Sequence, residues 1–82
     1  MVRLRQYVAE GEGFGVALWF PGDFKPGWYT VCTDADQAAW LVVRLVEVLT
    51  AIGKLDVRVE VGAAVAARIN RMDGAVGGMS WN

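Results

Sequence analysis

Histidine is absent from this 82-residue chain, and cysteine occurs once, as Cys32. Without histidine, the chain lacks the commonest general base, the Ser-His and Cys-His nucleophile pairs and the ligands of most zinc sites. A single cysteine excludes an internal disulfide, which is consistent with a reducing compartment. We therefore expect a cytoplasmic protein that is not an enzyme, with no cofactor and no bound metal.

Three features look like fragments of active sites, and each has a simpler structural explanation. Cys32 precedes a predicted helix N-terminus, which can lower a thiol pKa, but a buried structural thiol is the better interpretation. The acid pairs at positions 10/12 and 34/36 fit solubility and helix capping. The glycines at positions 11, 13 and 15 precede a strand, whereas a phosphate-binding loop is followed by a helix.

The chain has no excess of charge of either sign, because its formal net charge is −1. A protein dedicated to duplex DNA needs a basic surface to neutralise phosphates, so we do not expect nucleic acid as the partner. The longest apolar stretch, residues 42–52, is interrupted by Arg44 and Glu47, and the N-terminus does not have the pattern of a signal peptide. We therefore expect no association with a membrane.

Hydrophobic periodicity divides the sequence into four strands, two helices and a tail. The predicted strands are 2–9, 16–20, 28–32 and 55–61, and the predicted helices are 34–52 and 63–72. The glycine-rich tract 10–15 is expected to join the first two strands as a hairpin. We therefore predict a single α+β domain over residues 1–72, followed by a flexible tail over residues 73–82.

The predicted helix 34–52 is apolar around most of its circumference. Its apolar residues include Ala38, Leu41, Val42, Val43, Leu45, Val46, Val48, Leu49 and Ile52. Thr33 or Asp34 can cap the start of this helix, and Gly53 can end it. A domain of this size has one small core, so the surplus indicates either packing on a sheet or contact with another chain.

The predicted fold is a small antiparallel sheet in the order β-β-β-α-β-α, with the long apolar helix on one face and a short second helix. Alternation places six side chains on the opposite face: Arg3, Arg5, Tyr7, Trp19, Arg58 and Glu60. Trp28 and Thr30 join them if the third strand keeps the same phase. Cations among aromatic rings are typical of surfaces that bind single-stranded nucleic acid. Asp56 and Glu60 dilute the positive charge, however, so we favour an ordinary exposed face or a protein contact.

Aromatic side chains supply the candidate contact residues, because Trp is enriched in protein interfaces. Trp40 lies on the polar side of the predicted helix and is either an interface residue or is covered by the tail. Phe24, in a loop with a Pro-Gly pair at each end, either projects as an anchor or folds under the loop. The predicted partner-binding residues are Trp19, Phe24, Trp28, Trp40, Arg44, Glu47 and Trp81.

We therefore expect a non-catalytic protein-protein interaction module. Small chains of this composition are common among phage-encoded or mobile-element inhibitors, including anti-defence and anti-CRISPR proteins, which occlude a partner complex. No motif here identifies a family. The alternatives are a homo-oligomeric structural or scaffold subunit, in which the apolar helix packs on its own copy, and a single-stranded nucleic acid binder. The expected partner is a large protein complex or a second copy, the latter giving a homodimer.

Overall fold

The computed structural model describes residues 2–6, 13–72 and 79–81, the last three by their backbone alone. The α+β class and the predicted order of the first six elements are confirmed. The strands are β1 (Val2–Gln6), β2 (Gly15–Trp19), β3 (Trp28–Val31), β4 (Arg58–Val61) and β5 (Met79–Trp81). The helices are α1 (Ala35–Ala51) and α2 (Ala63–Asn70).

The five strands form one mixed sheet in the order β3-β2-β4-β1-β5. β2 pairs antiparallel with β3 and with β4, whereas β1 pairs parallel with β4 and with β5. The sheet is therefore mixed, whereas the sequence predicted an antiparallel one, and the predicted hairpin between the first two strands is wrong because β4 lies between β1 and β2. β4 takes the central place, and its inward side chains Val59 and Val61 are fully buried there.

α1 begins and ends at the predicted signals. The Asp34 carboxylate accepts a hydrogen bond from the Gln37 backbone N–H at 2.7 Å, which caps the first turn. Gly53 adopts φ +78°, a left-handed conformation that ends the helix. The buried face of the helix consists of Ala38, Ala39, Val42, Val43, Val46 and Leu49.

Both helices cover the same face of the sheet. The core joins their buried residues to the alternate side chains Val2, Leu4, Val16, Leu18, Val59 and Val61 of the strands. α2 packs along one side of α1, where Arg68 bonds to Asp36 through both Nε and Nη2 at 2.9 Å. On a helical wheel Asp36 lies on the opposite side of α1 from Ile52, so α2 leaves that side of α1 uncovered.

Two predicted segments differ from the structure. Leu55 belongs to the predicted strand 55–61, but it lies in a turn before β4 and is exposed. Residues 73–78 and 82 of the predicted flexible tail lie outside the described residues, and so does Tyr7. Met79–Trp81, also assigned to that tail, pair with β1 as a short parallel strand.

Candidate functional site

The sheet face opposite the helices holds Trp19 in a fixed position. The Trp19 indole Nε1 donates a hydrogen bond to Glu60 Oε1 at 3.0 Å. The other carboxylate oxygen of Glu60 lies 3.6 Å from Arg5 Nε. This arrangement follows from the register, which pairs Glu60 with Arg5 on one side and places it diagonally to Trp19 on the other. The ring is therefore oriented by a carboxylate that is itself ion-paired.

We use the term open sheet face for the side chains that alternation directs away from the helices. Arg3, Arg5, Trp19, Arg58 and Glu60 lie on it as predicted. Trp28 and Thr30 do not, because their register partners Leu18 and Val16 point into the core. The third strand has the other phase, so Tyr29 and Val31 take their places on the open sheet face.

Two cations are direct neighbours on this face. Arg3 and Arg58 are register partners on β1 and β4, and Arg58 is also paired with Trp19 on β2. Like charges in such positions repel each other. A groove of about 390 Å³ is lined by Arg3, residues 55–57 and Arg58, and a second of about 190 Å³ lies between Trp19, Arg58 and the loop 20–23. Asp56 lines both grooves and partly balances the positive charge.

A second surface runs along the β3 edge of the molecule, and we call it the β3 flank. From β3 it includes Trp28, Tyr29 and Val31, and from the uncovered side of α1 it includes Val48 and Ile52. Val31 is 58% exposed, Val48 56% and Ile52 62%. β3 itself contains no charged residue. Leu41 and Leu45, which follow the same side of α1, are partly buried against the core and join this apolar surface to it.

The two parts of the β3 flank lie toward the same end of the sheet. Three residues connect β3 to α1, and the 17-residue helix then runs back for about 25 Å. The C-terminal end of α1, which carries Val48 and is followed by the cap residue Ile52, therefore lies near the start of β3. Trp28 is at that start, on the side of the sheet that the helices cover.

The remaining predicted contact residues lie on separate surfaces. Trp40, Arg44 and Glu47 are all exposed on the outer side of α1, away from the sheet. Phe24 is fully exposed, at 102% of its reference area, and therefore projects from its loop. The side chain of Trp81 lies outside the described part of the chain. The seven predicted residues thus do not form one site.

The turn that carries Phe24 is held by short local bonds. The Asp23 carboxylate accepts a hydrogen bond from the Phe20 N–H at 3.0 Å, and the Asp23 N–H returns one to the Phe20 carbonyl at 3.1 Å. Gly22 supplies the left-handed conformation with φ +83°. Phe24 is therefore presented by an ordered turn.

Sequence reasoning missed four residues of the β3 flank. The position of Tyr29 and Val31 on the open sheet face depends on the phase of β3. That phase is set by the pairing of β3 with the core residues Val16 and Leu18 of β2. Val48 and Ile52 were recognised as apolar, but the sequence gives no sign of which side of α1 is covered by α2. The absence of a charged residue from β3 was the signal available in the sequence.

Cys32 follows β3 and is partly buried. Burial raises the pKa of its thiol above the usual value, and the negative charge of Asp34 raises it further. The thiolate, which is the reactive form, is therefore disfavoured. Its environment fits the structural role expected from the sequence.

Among residues 2–6, 13–72 and the short strand 79–81, no three or more acidic or cysteine side chains are arranged to hold a metal ion. Within the same residues, neither helix combines the length and the apolar character needed to cross a membrane.

Comparison with protein families, with curated proteins and with solved structures gave no match to this chain. The functional interpretation therefore depends on the geometry of its surfaces.

Proposed function

We propose that the protein is a non-catalytic protein-binding module that docks through the β3 flank. The observation that carries the proposal is the row of exposed apolar side chains along an edge strand that has no charged residue. Natural edge strands are usually protected by lysine, proline, bulges or a covering segment. Contiguous exposed apolar surface of this kind is typical of protein interaction sites.

The β3 flank suits a partner that adds a strand to the sheet. Backbone hydrogen bonds along β3 would supply affinity, and the side chains on its two faces would supply specificity. Val48 and Ile52 extend the contact from the strand to the helix layer. A module of this kind acts by occluding or bridging its partner and needs no reactive group. An origin as a phage or mobile-element inhibitor and a cytoplasmic location are narrower hypotheses that remain predictions.

The test is binding of affinity-tagged protein to a partner recovered from cell extract and then purified. Ile52→Glu places a charge in the β3 flank, and Glu47→Lys changes a charge on the outer side of the same helix. We expect the first variant to weaken binding at least tenfold and the second to bind normally. If Glu47→Lys weakens binding and Ile52→Glu does not, the docking site is instead the outer side of α1 that carries Trp40. The absence of any protein partner would overturn the proposal.

A second candidate function is supported by the open sheet face. Arg58 has an arginine neighbour on one side and Trp19 on the other, and no ion pair to it occurs within the described ranges. A single-stranded nucleic acid could stack a base on the oriented ring and place phosphates beside the arginines.

Fluorescence anisotropy with a labelled single-stranded oligonucleotide tests this second candidate. Binding should weaken steeply with added salt and about tenfold in Arg58→Ala, while Arg44→Ala, a charge change on α1, serves as the control. Binding that is absent, insensitive to salt or equally weakened by both variants would exclude it.

A further inference from the structure

We infer that the occupant of the β3 flank is a second copy of this chain, joined by antiparallel pairing of β3 with its two-fold mate. The inference rests on the proposed function, because it names the partner of the same surface. In the part of the chain that the structure describes, no strand pairs with the outer edge of β3.

The orientation of the β3 backbone defines which groups face that edge. The Cys32 N–H donates to the Phe14 carbonyl at 3.0 Å, so it points toward β2. Backbone groups alternate along an antiparallel strand, and the N–H and C=O of Val31 therefore point outward. Pairing of two β3 strands would give these groups hydrogen-bond partners without moving the rest of the fold.

One register is favoured by the side chains. If the two-fold axis passes between the two Thr30 residues, the numbers of any two residues that lie opposite each other add up to 60. Thr30 then lies opposite Thr30, and Tyr29 lies opposite Val31 twice on the open sheet face. The Tyr29 ring lies over Gly15 of β2, so the exposed Val31 side chain is the member of each pair that faces the second copy. Trp28 lies opposite Cys32 on the other face. No charged side chain is buried by this arrangement.

Charges at the two ends of the contact complement each other in the same register. Lys25 stands three residues before β3, and Asp34 stands three residues after it; both are exposed. Antiparallel pairing brings the lysine of each copy to the end of the interface where the partner's Asp34 lies. The symmetry gives this attraction twice, and opposite charges at a rim favour the matching orientation.

The positions of the two α1 helices are compatible with this pairing of the β3 strands. A two-fold axis perpendicular to the sheet keeps both α1 helices on the same side and antiparallel to each other. α1 contacts both β1 and β2, and β4 lies between these strands. With strands about 4.8 Å apart, two helices centred over β4 would lie about 24 Å apart, beyond the 8–10 Å of direct helix packing. Trp28 of each copy points to the helix-covered face of the sheet, where this gap leaves room for it.

Sedimentation equilibrium of the full chain over a range of concentrations is the first part of the test. The wild type is expected at about twice the monomer mass of 8.9 kDa. Val31→Lys, the usual protection of an edge strand, should raise the dissociation constant at least tenfold, whereas Val31→Thr should leave it nearly unchanged. Circular dichroism checks that both variants are folded.

Disulfide cross-linking in a Cys32→Ser background tests the register. Thr30→Cys places two sulfurs opposite each other at a non-hydrogen-bonded position with a Cα separation of about 4.5 Å, which a disulfide can span. In Val31→Cys, the two cysteines are offset from each other by two residues along the paired strands. Strand geometry then puts their Cα atoms about 9 Å apart, which is too far for a disulfide. We expect an oxidised dimer from the first variant and little from the second.

A chain that stays monomeric at high concentration would overturn the inference. A dimer whose dissociation constant is unchanged by Val31→Lys, and which cross-links no better through Cys at residue 30 than through Cys at residue 31, would also overturn it. If the chain is monomeric but a purified different protein binds it and is released by Ile52→Glu, the proposed function stands and only the second copy is excluded. If neither self-association nor such binding occurs, both proposals fail.

Discussion

Replacing Glu60 by alanine should destabilise the fold by about 2 kcal/mol. The Glu60 side chain is only 12% exposed and lies 3.6 Å from Arg5 Nε, and it accepts the Trp19 indole N–H at 3.0 Å. Losing a hydrogen bond to a charged group costs about 1.5–3 kcal/mol. The ion pair adds less than about 1 kcal/mol, since Arg5 is half exposed. The hydrogen bond from Trp19 therefore carries most of the expected loss.

Urea unfolding followed by tryptophan fluorescence measures this loss, and a thermal scan should show a fall in Tm of about 10 °C. Glu60→Gln keeps an oxygen acceptor for the indole and should cost about half as much. Glu47→Ala, an exposed position on α1, should change stability by less than about 0.5 kcal/mol. A Glu60→Ala protein as stable as the wild type, or a glutamine variant as damaged as the alanine variant, would refute the argument.

Three further predictions concern the helix ends and the thiol. Asp34→Ala removes the cap bond to the Gln37 N–H and should cost about 1 kcal/mol in urea unfolding; an unchanged midpoint would contradict the capping role. Gly53→Ala should cost about 1 kcal/mol because of its φ of +78°, whereas Gly13→Ala, with open space around its Cβ position, should be neutral; equal effects of the two would show that backbone conformation is not the cause. Because burial and the Asp34 charge raise the pKa of Cys32, iodoacetamide should modify it more slowly in the native state than in urea near neutral pH, with the rate rising as the pH increases; equal rates would contradict the shift.

Local patterns in the sequence predict the elements of this fold but not the pairing of its strands. The cap at Asp34, the stop at Gly53 and the alternation of Val57, Val59 and Val61 are short-range signals, and each marks its element correctly. The pairing depends on which strands need neighbours on both sides, and periodicity within one strand does not express that. The sequence therefore suggested a meander, whereas β4 takes the central position and separates β1 from β2.

The candidate surfaces show the same limit. Trp19 and the arginines of the open sheet face follow from alternation alone, so the sequence places them together. The β3 flank depends on two long-range facts, the phase of β3 against β2 and the side of α1 that α2 covers. Neither is encoded near Val31 or Ile52, and a sequence search for contact residues consequently selects Trp40 and Phe24 because of their size.

The structure separates the two functional hypotheses because they use different side chains of neighbouring strands. Arg58 and Trp19 belong to the open sheet face and lie two strands and one strand away from the edge, respectively. Val31 shares that face but lies on the edge strand, and Ile52 lies in the helix layer. A charge at Ile52 is therefore expected to disrupt only docking on the β3 flank, while Arg58→Ala is expected to affect only an anion on the open sheet face. Because Val31 borders both surfaces, the direction in which Val31→Lys changes affinity distinguishes the two hypotheses. The added cation should weaken strand pairing but strengthen the binding of a polyanion.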